Sequence, residues 1–424
     1  MLVEHVSYEE PMKILHLADI HIGMENYGRL DSATGLNTRL MDYLDRFEEA
    51  LQIGLDEQVD LVLIAGDIYK NRAPNPTHQR EFARRLRTVL QANIPVFILV
   101  GNHDVSAAAG KAHSVEIFDT LHIEGVTIAN RLQIHRIATR AGEIQIVAVP
   151  WISRQAILTK DDVRNLPFSE LEAELLRRVG AWLDDVPAKL DPNLPAILTF
   201  HGSVVNATFG AERSVMLGSD LVIPPSLLAQ PGIQYVALGH IHRHQIVGQH
   251  PPAVYPGSIE RIDFSEETEE KGVVLVEVEA GAEEARWRFV PLHARPFATL
   301  RVDVTASSDP LERIAVAIQK RDLQGSVVRL FVTATLEQRP HLDETMLRTM
   351  LEAAGAHVVA SAKIDVERIE RSRYSAVASE LQDGLTPRRA LEIYLETSNV
   401  SATRRDRLLA AADILLKADK EQAT

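Results

Sequence analysis

The sequence predicts an α/β protein. Six short apolar runs read as buried strands, stretches of helical periodicity precede several of them, and five of the six end on residues able to bind metal. The runs are KILHLAD (13–19), DLVLIAGD (60–67), PVFILVGNHD (95–104), IQIVAVPW (144–151), PAILTFHG (195–202) and QYVALGHIH (234–242). Between the first two, residues 38–58 place Leu40, Leu44, Phe47, Leu51 and Leu55 at helical spacing. Residues 79–93 do the same with Phe82, Leu86, Val89 and Leu90. Strands alternating with helices favour a parallel sheet, whose strand ends gather at one edge where sites form.

Composition narrows the function classes. At 424 residues with 46% hydrophobic content, the chain is long enough for two or three domains and a sizeable core. No apolar run reaches the roughly 18 residues of a membrane span, and the first eleven residues do not read as a signal peptide. The absence of cysteine excludes disulfides, thiolate metal sites and cysteine nucleophiles, and fits a reducing cytoplasm. A net charge of −14 repels nucleic acid globally, so any phosphate backbone needs local compensation.

The strand ends carry the chemistry. Run one ends in Asp19 and His21, run two in Asp67, and run three in Asn102, His103 and Asp104. Run five ends in His201, and run six in His240 and His242. One Asp-x-His pair is a weak signal, but DIH, GD, GNHD, HG and GHIH at successive strand ends are a strong one. Nitrogen and oxygen donors without sulfur suit manganese, iron, zinc or nickel. His16 lies inside the first run and reads as a packed core histidine. His113, His122, His135 and His250 have no ligand-like neighbours and read as surface or loop residues. Asp104 reads equally as a turn stabiliser and as a catalytic group.

In this order the motifs resemble the calcineurin-like metallophosphoesterase superfamily. The stretch YPGSIERIDFSEETEEKGVVLVEV (255–278) is similar to the bacterial SbcD family, double-strand-break repair nucleases that pair with an ABC-type coiled-coil ATPase. The resemblance implies a layered sandwich, with helices packed on a central β-sandwich, over residues 12–293. It also implies two manganese ions: Asp19, His21 and His242 on the first, Asn102, His201 and His240 on the second, and Asp67 as the bridge. His103 would contact the scissile phosphate and help the leaving oxygen depart. One position departs from the family. Lys70 stands where relatives usually carry an acidic residue or a histidine, and an acidic one can orient His103. A lysine cannot accept a hydrogen bond from an imidazole, so its expected role is phosphate binding as a point charge.

The remaining chain has a different character. Residues 297–366 read as βαβαβ and look like the family's small α+β capping domain (297–367), which helps to bind and orient DNA. Residues 368–385 read as a linker, and 386–418 as a pair of amphipathic helices that the resemblance assigns to docking on the ATPase. Thr386 and Pro387 start the first helix, whose Leu391, Tyr394 and Leu395 share a face; Leu408, Leu409, Ala412, Leu415 and Leu416 stripe the second. Residues 368–418 hold nine Lys or Arg against seven Asp or Glu, so the acidity lies in the preceding domains. Arg80, Arg84, Arg85 and Arg87 form a local basic cluster, expected to be a solvated face, with DNA contact the alternative.

The expected function is therefore a metal-dependent DNA exonuclease, with endonuclease activity as an extension. It would be a homodimer within a heterotetramer that includes an SbcC-like ATPase. The alternative is a phosphoesterase acting on nucleotides or phosphoproteins.

Overall fold

The computed structural model describes residues 11–105, 112–152, 168–210, 220–367, 387–397 and 402–422; the expected linker lies outside them. The chain runs β1 (Met12–Leu17), α1 (Thr38–Asp56), β2 (Leu61–Ile64), α2 (Pro76–Gln91), β3 (Val96–Leu99), α3 (Glu116–Thr120), β4 (Val126–Ala129), β5 (Gln133–Thr139) and β6 (Gly142–Val149). It continues through α4 (Phe168–Asp184), β7 (Ala196–His201), β8 (Ser203–Val204), β9 (Val222–Ile223), α5 (Pro225–Leu228) and β10 (Val236–Gly239). Next come β11 (Gln245–Gln249), β12 (Pro252–Tyr255), β13 (Gly272–Val278) and β14 (Arg286–Pro291).

Two six-stranded sheets result. The first has the order β14-β13-β1-β2-β3-β4, the second β11-β12-β10-β7-β6-β5, and β8 pairs with β9 apart from both. The six sequence-predicted strands divide between them, β1, β2 and β3 in the first and β6, β7 and β10 in the second. Within each trio neighbours run parallel. The strands missed in the sequence mostly flank these. β5 and β14 lie at the edges and alternate polar with apolar residues, so they carry no continuous apolar run.

Side-chain alternation builds the layers. Ile14, Leu61, Leu63, Phe97 and Leu99 of the first sheet meet Ile144, Ile146, Ala148, Ile197 and Ala237 of the second in one buried cluster. Their neighbours Leu15, Leu17, Val62, Ile64, Val96 and Ile98 point the other way, onto Leu40, Leu44, Phe47 and Leu51 of α1 and Phe82, Leu86 and Val89 of α2. The far face of the second sheet packs Val147, Val149, Leu198 and Leu238 on Leu171, Leu175, Val179 and Leu183 of α4. Helix, sheet, sheet and helix therefore stack as four layers. Asn37 caps α1 by accepting from the Arg39 amide. α2 begins three residues before the sequence-predicted start because Asn75 accepts from the His78 amide and Pro76 occupies the first turn.

Further on, β15 (Phe297–Asp303), α6 (Pro310–Gln319), β16 (Val327–Ala334), α7 (Glu344–Ala353) and β17 (Val358–Val366) follow the expected βαβαβ order. Their strands form a three-stranded sheet, β15-β16-β17. By contact density the chain divides into two units, Met1–Val302 with Leu311–Phe331 and Asp343–Lys363, and Asp303–Pro310 with Val332–Leu342 and Ile364–Thr424. In the second unit α8 (Pro387–Thr397) and α9 (Ala402–Gln422) pack together, with Arg388 paired to Asp413 at 2.6 Å. Leu395 and Leu409 are buried, while Tyr394 is 60% and Leu408 41% exposed.

His16 is a core residue, as expected. It is fully buried between the sheets, with Nδ1 3.0 Å from the Tyr235 hydroxyl and Nε2 3.1 Å from the Leu238 carbonyl. A carbonyl only accepts, so Nε2 carries the proton and Nδ1 accepts from the tyrosine. Burial pushes the His16 pKa down to about 3. The unfolded chain takes up a proton near pH 6.5 that the folded chain refuses. His16 thus contributes stability fully above pH 6.5 and loses it as pH falls toward 3, at about 1.4 kcal/mol per pH unit. Urea unfolding of wild type and His16→Gln between pH 7.5 and 5 should show a shallower pH dependence in the variant.

Candidate metal centre

All nine sequence-predicted residues lie at the carboxyl ends of strands or in the turns that follow them. Asp19 and His21 follow β1, Asp67 and Lys70 follow β2, and Asn102 and His103 follow β3. His201 closes β7, and His240 and His242 follow β10. The two sheets thus bring their ends to one rim, and Asp19 fastens them: its carboxylate oxygens accept from the His240 amide at 3.0 and 2.9 Å.

The backbone at this rim is bent sharply. Asp19 (φ 53°), His21 (φ 49°), Asp67 (φ 56°) and His240 (φ 102°) all have left-handed backbone, at a cost of about 1–3 kcal/mol each. The kinks are held by main-chain bonds, Asp19 N–H to the Gly66 carbonyl and His21 N–H to the Asp67 carbonyl, both 3.1 Å. Glycine precedes Asp67 and His240 for lack of room. A Cβ on Gly66 would lie 2.2 Å from the His201 ring, and one on Gly239 1.9 Å from the Ala65 carbonyl oxygen.

Among the described residues three clusters could hold a metal ion, Asp19–His21–His242, His21–Asp67–His103 and Asp67–His201–His240. The Asp67 carboxylate lies between the flanking sets, with Oδ1 3.4 Å from His201 Nε2 and Oδ2 3.9 Å from His21 Nε2. The Asn102 Oδ1 atom lies 2.9 Å from His201 Nε2 and 3.0 Å from His240 Nδ1. His21 Nε2 and His242 Nε2 are 3.0 Å apart.

Outer partners fix where the protons sit. His201 Nδ1 donates to the Ala65 carbonyl (2.7 Å), His240 Nε2 faces the Asp220 carboxylate (3.1 Å), and His242 Nδ1 faces the Glu266 carboxylate (3.0 Å). Each neutral ring therefore turns a lone pair inward. Lone pairs of His201 and His240 point at the Asn102 oxygen, and that of His242 at His21. Acceptors facing acceptors at 3 Å repel, and a cation between them removes the conflict. Ligands held 2.0–2.1 Å from a zinc-sized ion at a right angle sit about 3 Å apart, the spacing seen here. The donor set fits divalent metal.

Without a cation, protons carry the charge. Burial raises the Asp67 pKa, but His201, His103 and His21 outweigh it and hold the carboxylate well below its usual range. Burial lowers His201, but Asp67 prevails and its pKa rises to about 9. Burial lifts Asp19 to about 6, with Asp67 adding to the rise and His201 and His242 opposing it.

The sequence profile described as calcineurin-like phosphoesterase matches residues 12–244. The chain belongs to the calcineurin-like phosphoesterase family. It is 26% identical to the SbcD component of the SbcCD nuclease of Escherichia coli K12, over 90% of this chain and 92% of that protein. It is 30% identical to the SbcD component from Rhodobacter capsulatus, over 73% of this chain and 76% of that one. It is 27% identical to "DNA double-strand break repair protein Mre11" of Archaeoglobus fulgidus, over 60% of this chain and 52% of that one.

Several residues of this phosphoesterase rim escaped sequence reasoning. Asp220, Glu266 and Trp151 carry no motif of their own, although Glu266 lies inside the 255–278 signature. Trp151 sits with its ring centre 5.1 Å from that of His240, tied by its amide to the Val100 carbonyl at 3.0 Å. Asp104 resolves as the turn stabiliser. Its carboxylate accepts from the amides of Asp67 (3.0 Å), Gly101 (3.0 Å) and Ile68 (3.2 Å) and from the Ser114 hydroxyl (3.1 Å), locking the GD turn to the GNHD turn. The Lys70 expectation changes too. His103 Nδ1 lies 2.6 Å from the Lys70 main-chain carbonyl, so the acceptor that orients His103 is present whatever side chain stands there. On α2, Arg80, Arg84 and Arg85 converge on the buried Glu81 at 2.8, 3.4 and 3.0 Å, which gives most of the basic cluster a structural use.

Asp104→Ala would leave buried amides of Asp67 and Gly101 without an acceptor, at about 1–3 kcal/mol each. Guanidinium unfolding should show a loss of at least about 2 kcal/mol, against none for the exposed Asp119→Ala.

Proposed function

We propose that this chain is the nuclease component of a DNA double-strand-break repair complex and hydrolyses DNA phosphodiester bonds with two manganese ions. The inward-facing acceptors of the rim carry the metal reading. The kinship with nucleases over nine-tenths of the chain carries the choice of DNA as substrate. Asp19, His21 and His242 hold one ion, Asn102, His201 and His240 the other, and Asp67 both. Such a pair supplies Lewis acidity toward the phosphodiester and hydroxide at neutral pH.

The chain's own groups do the rest. Asp67 Oδ1 accepts from the His103 amide (2.8 Å) and the Lys70 carbonyl accepts from His103 Nδ1, so the ring gives a proton from Nε2 to the departing oxygen as the imidazolium, protonated at both nitrogens. Lys70, half-buried at the rim, attracts a substrate phosphate as a point charge. Residues 12–293 form the nuclease, 297–367 the capping domain, 368–385 the linker and 386–418 the helix pair. Among the described residues no helix is long and apolar enough to cross a membrane, and we assign the protein to the cytoplasm. It acts as an exonuclease and extends to endonuclease cutting, as a homodimer within a heterotetramer that includes an SbcC-like ATPase, in recombination and replication as well as repair. A phosphoesterase for nucleotides or phosphoproteins would use the same centre, so the test must offer both kinds of substrate.

The purified protein with manganese should degrade end-labelled duplex DNA and leave nucleoside monophosphates and phosphopeptides intact; the reverse preference would overturn the assignment. Asp67→Ala should abolish cleavage with the far-UV spectrum unchanged. His103→Leu should keep its metal by elemental analysis and lose about 10²–10⁴-fold in turnover.

The exposed Tyr394 and Leu408 give α8 and α9 an apolar surface of the kind an amphipathic helix lays into a partner's groove. Tyr394→Glu with Leu408→Glu should abolish co-purification with the ATPase while cleavage of short duplexes stays at the wild-type rate. Complex formation at unchanged affinity would remove the helices from the interface.

A further inference from the structure

The three-stranded sheet reaches toward the rim through two adjacent glutamates. Phe264–Glu266 is a single 3-10 turn, capped by the Asp263 side chain accepting from the Ser265 amide at 2.7 Å. Its last residue, Glu266, is fully buried. One carboxylate oxygen meets His242 Nδ1, and the other accepts from the Ile262 amide (3.0 Å) and the Lys271 ammonium (2.8 Å). Lys271 also donates to the His242 carbonyl at 2.9 Å, so ring and backbone of His242 hang on one short segment.

The next residue, Glu267, faces away from the rim. Its carboxylate accepts from both the amide (2.8 Å) and the hydroxyl of Thr299 in β15. The same hydroxyl accepts from Arg329 Nε in β16 at 2.8 Å, and the Arg329 guanidinium lies 4.3 Å over the Phe264 ring. Phe264 in turn packs on Phe297, ring centres 4.9 Å apart, and on Val327. Phe297 and Thr299 are two residues apart on β15, as are Val327 and Arg329 on β16, so each pair shares one face of its strand. Two strands of the sheet thus grip both ends of the turn that holds His242.

We infer that Thr299 and Glu267 are positioning residues for His242: the hydrogen bond between them fixes the 264–267 turn, and through Glu266 it sets the ring that receives the first metal ion. This rests on the reading that His242 is a ligand of that ion. A shift of β15 would be felt at one ion and not at the other, because the second set hangs on Ala65 and Asp220, outside this turn. The sheet would then tune the metal centre without touching it.

Manganese titration of the intact protein, followed by the EPR signal of free ion, gives the two binding constants directly and needs no turnover. In the wild type two ions should bind. Thr299→Val should weaken one by about tenfold, the lower end of what loss of an outer partner of a metal histidine costs, and leave the other within twofold. Thr299→Ser, which keeps the hydroxyl, should match the wild type. Glu266→Gln combined with Thr299→Val should bind no more weakly than Glu266→Gln alone, since both act along one path. If Thr299→Val does not fold, Glu267→Gln tests the same link, with a smaller loss in the same direction. A wild type that binds two ions with unchanged affinity in Thr299→Val or Glu267→Gln overturns the positioning role and leaves the metal centre standing. Equal weakening of both ions, or additive losses in the double variant, overturns it as well. A wild type that binds no ion overturns both.

Discussion

Buried acceptors that face one another repel, and much of the polar structure of this protein serves to keep several of them in that arrangement. Left to relax, His201, His240 and His242 would flip or rotate until each lone pair found a donor. They do not, because each has its other ring nitrogen tied to an outer acceptor, the Ala65 carbonyl, Asp220 and Glu266. The kinks at Asp19, His21, Asp67 and His240 are held similarly. The main chain bends where a straight strand would have carried the side chain past the rim, and hydrogen bonds between neighbouring turns hold the bend. Two sheets meeting at their carboxyl ends make this possible, since each alone supplies only part of the set.

The 255–278 segment is where this is most expensive. Glu260 and Glu266 are both fully buried, and a buried carboxylate without partners is unstable. Glu266 is matched by Lys271, itself 1% exposed. Glu260 accepts from the amides of Arg261 (2.7 Å) and Arg295 (2.9 Å) and lies 3.4 Å from the Arg39 guanidinium. Arg39 also pairs with Asp42 at 2.9 Å. The network ties α1, the segment after β12 and the approach to β15 into one unit. Several of these charges have two partners, Lys271 in Glu266 and Glu269 and Asp42 in Arg39 and Arg295, which gives a physical reason why so long a stretch of polar residues behaves as one signature.

The sequence made the inward-facing donors of the rim legible and their outer partners not. Asp19, His21, Asp67, Asn102, His201, His240 and His242 each end a run of apolar residues or follow one closely, and the pattern is visible because strand and polar side chain are adjacent in the chain. Asp220 and Glu266 act on His240 and His242 from loops 20 and 24 residues away. No periodicity points to them. The fold divides the same way. Core strands such as β2 and β3, buried on both faces, announce themselves as apolar runs, whereas β5 and β14 are half solvated and read as polar loop. His16 was legible for a different reason: three residues before Asp19, inside the apolar run, an imidazole has nowhere to point but the core.

Lys70 shows what a side-chain reading of a sequence leaves out. Judged by residue type, lysine after GDIY removes an acceptor and puts His103 at risk. In the fold the acceptor is the carbonyl of that same residue, and every amino acid has one. That carbonyl is aimed by its neighbours. The Lys70 amide donates to the Ile22 carbonyl at 3.1 Å and the Ile22 amide to the Ile68 carbonyl at 2.9 Å, so the strand-like pairing of 20–22 with 67–70 directs it toward His103. His103 is oriented from the backbone of the turn that also bears Asp67. The Lys70 side chain is thereby released from orienting His103, and a positive charge can stand beside the rim without disturbing that imidazole.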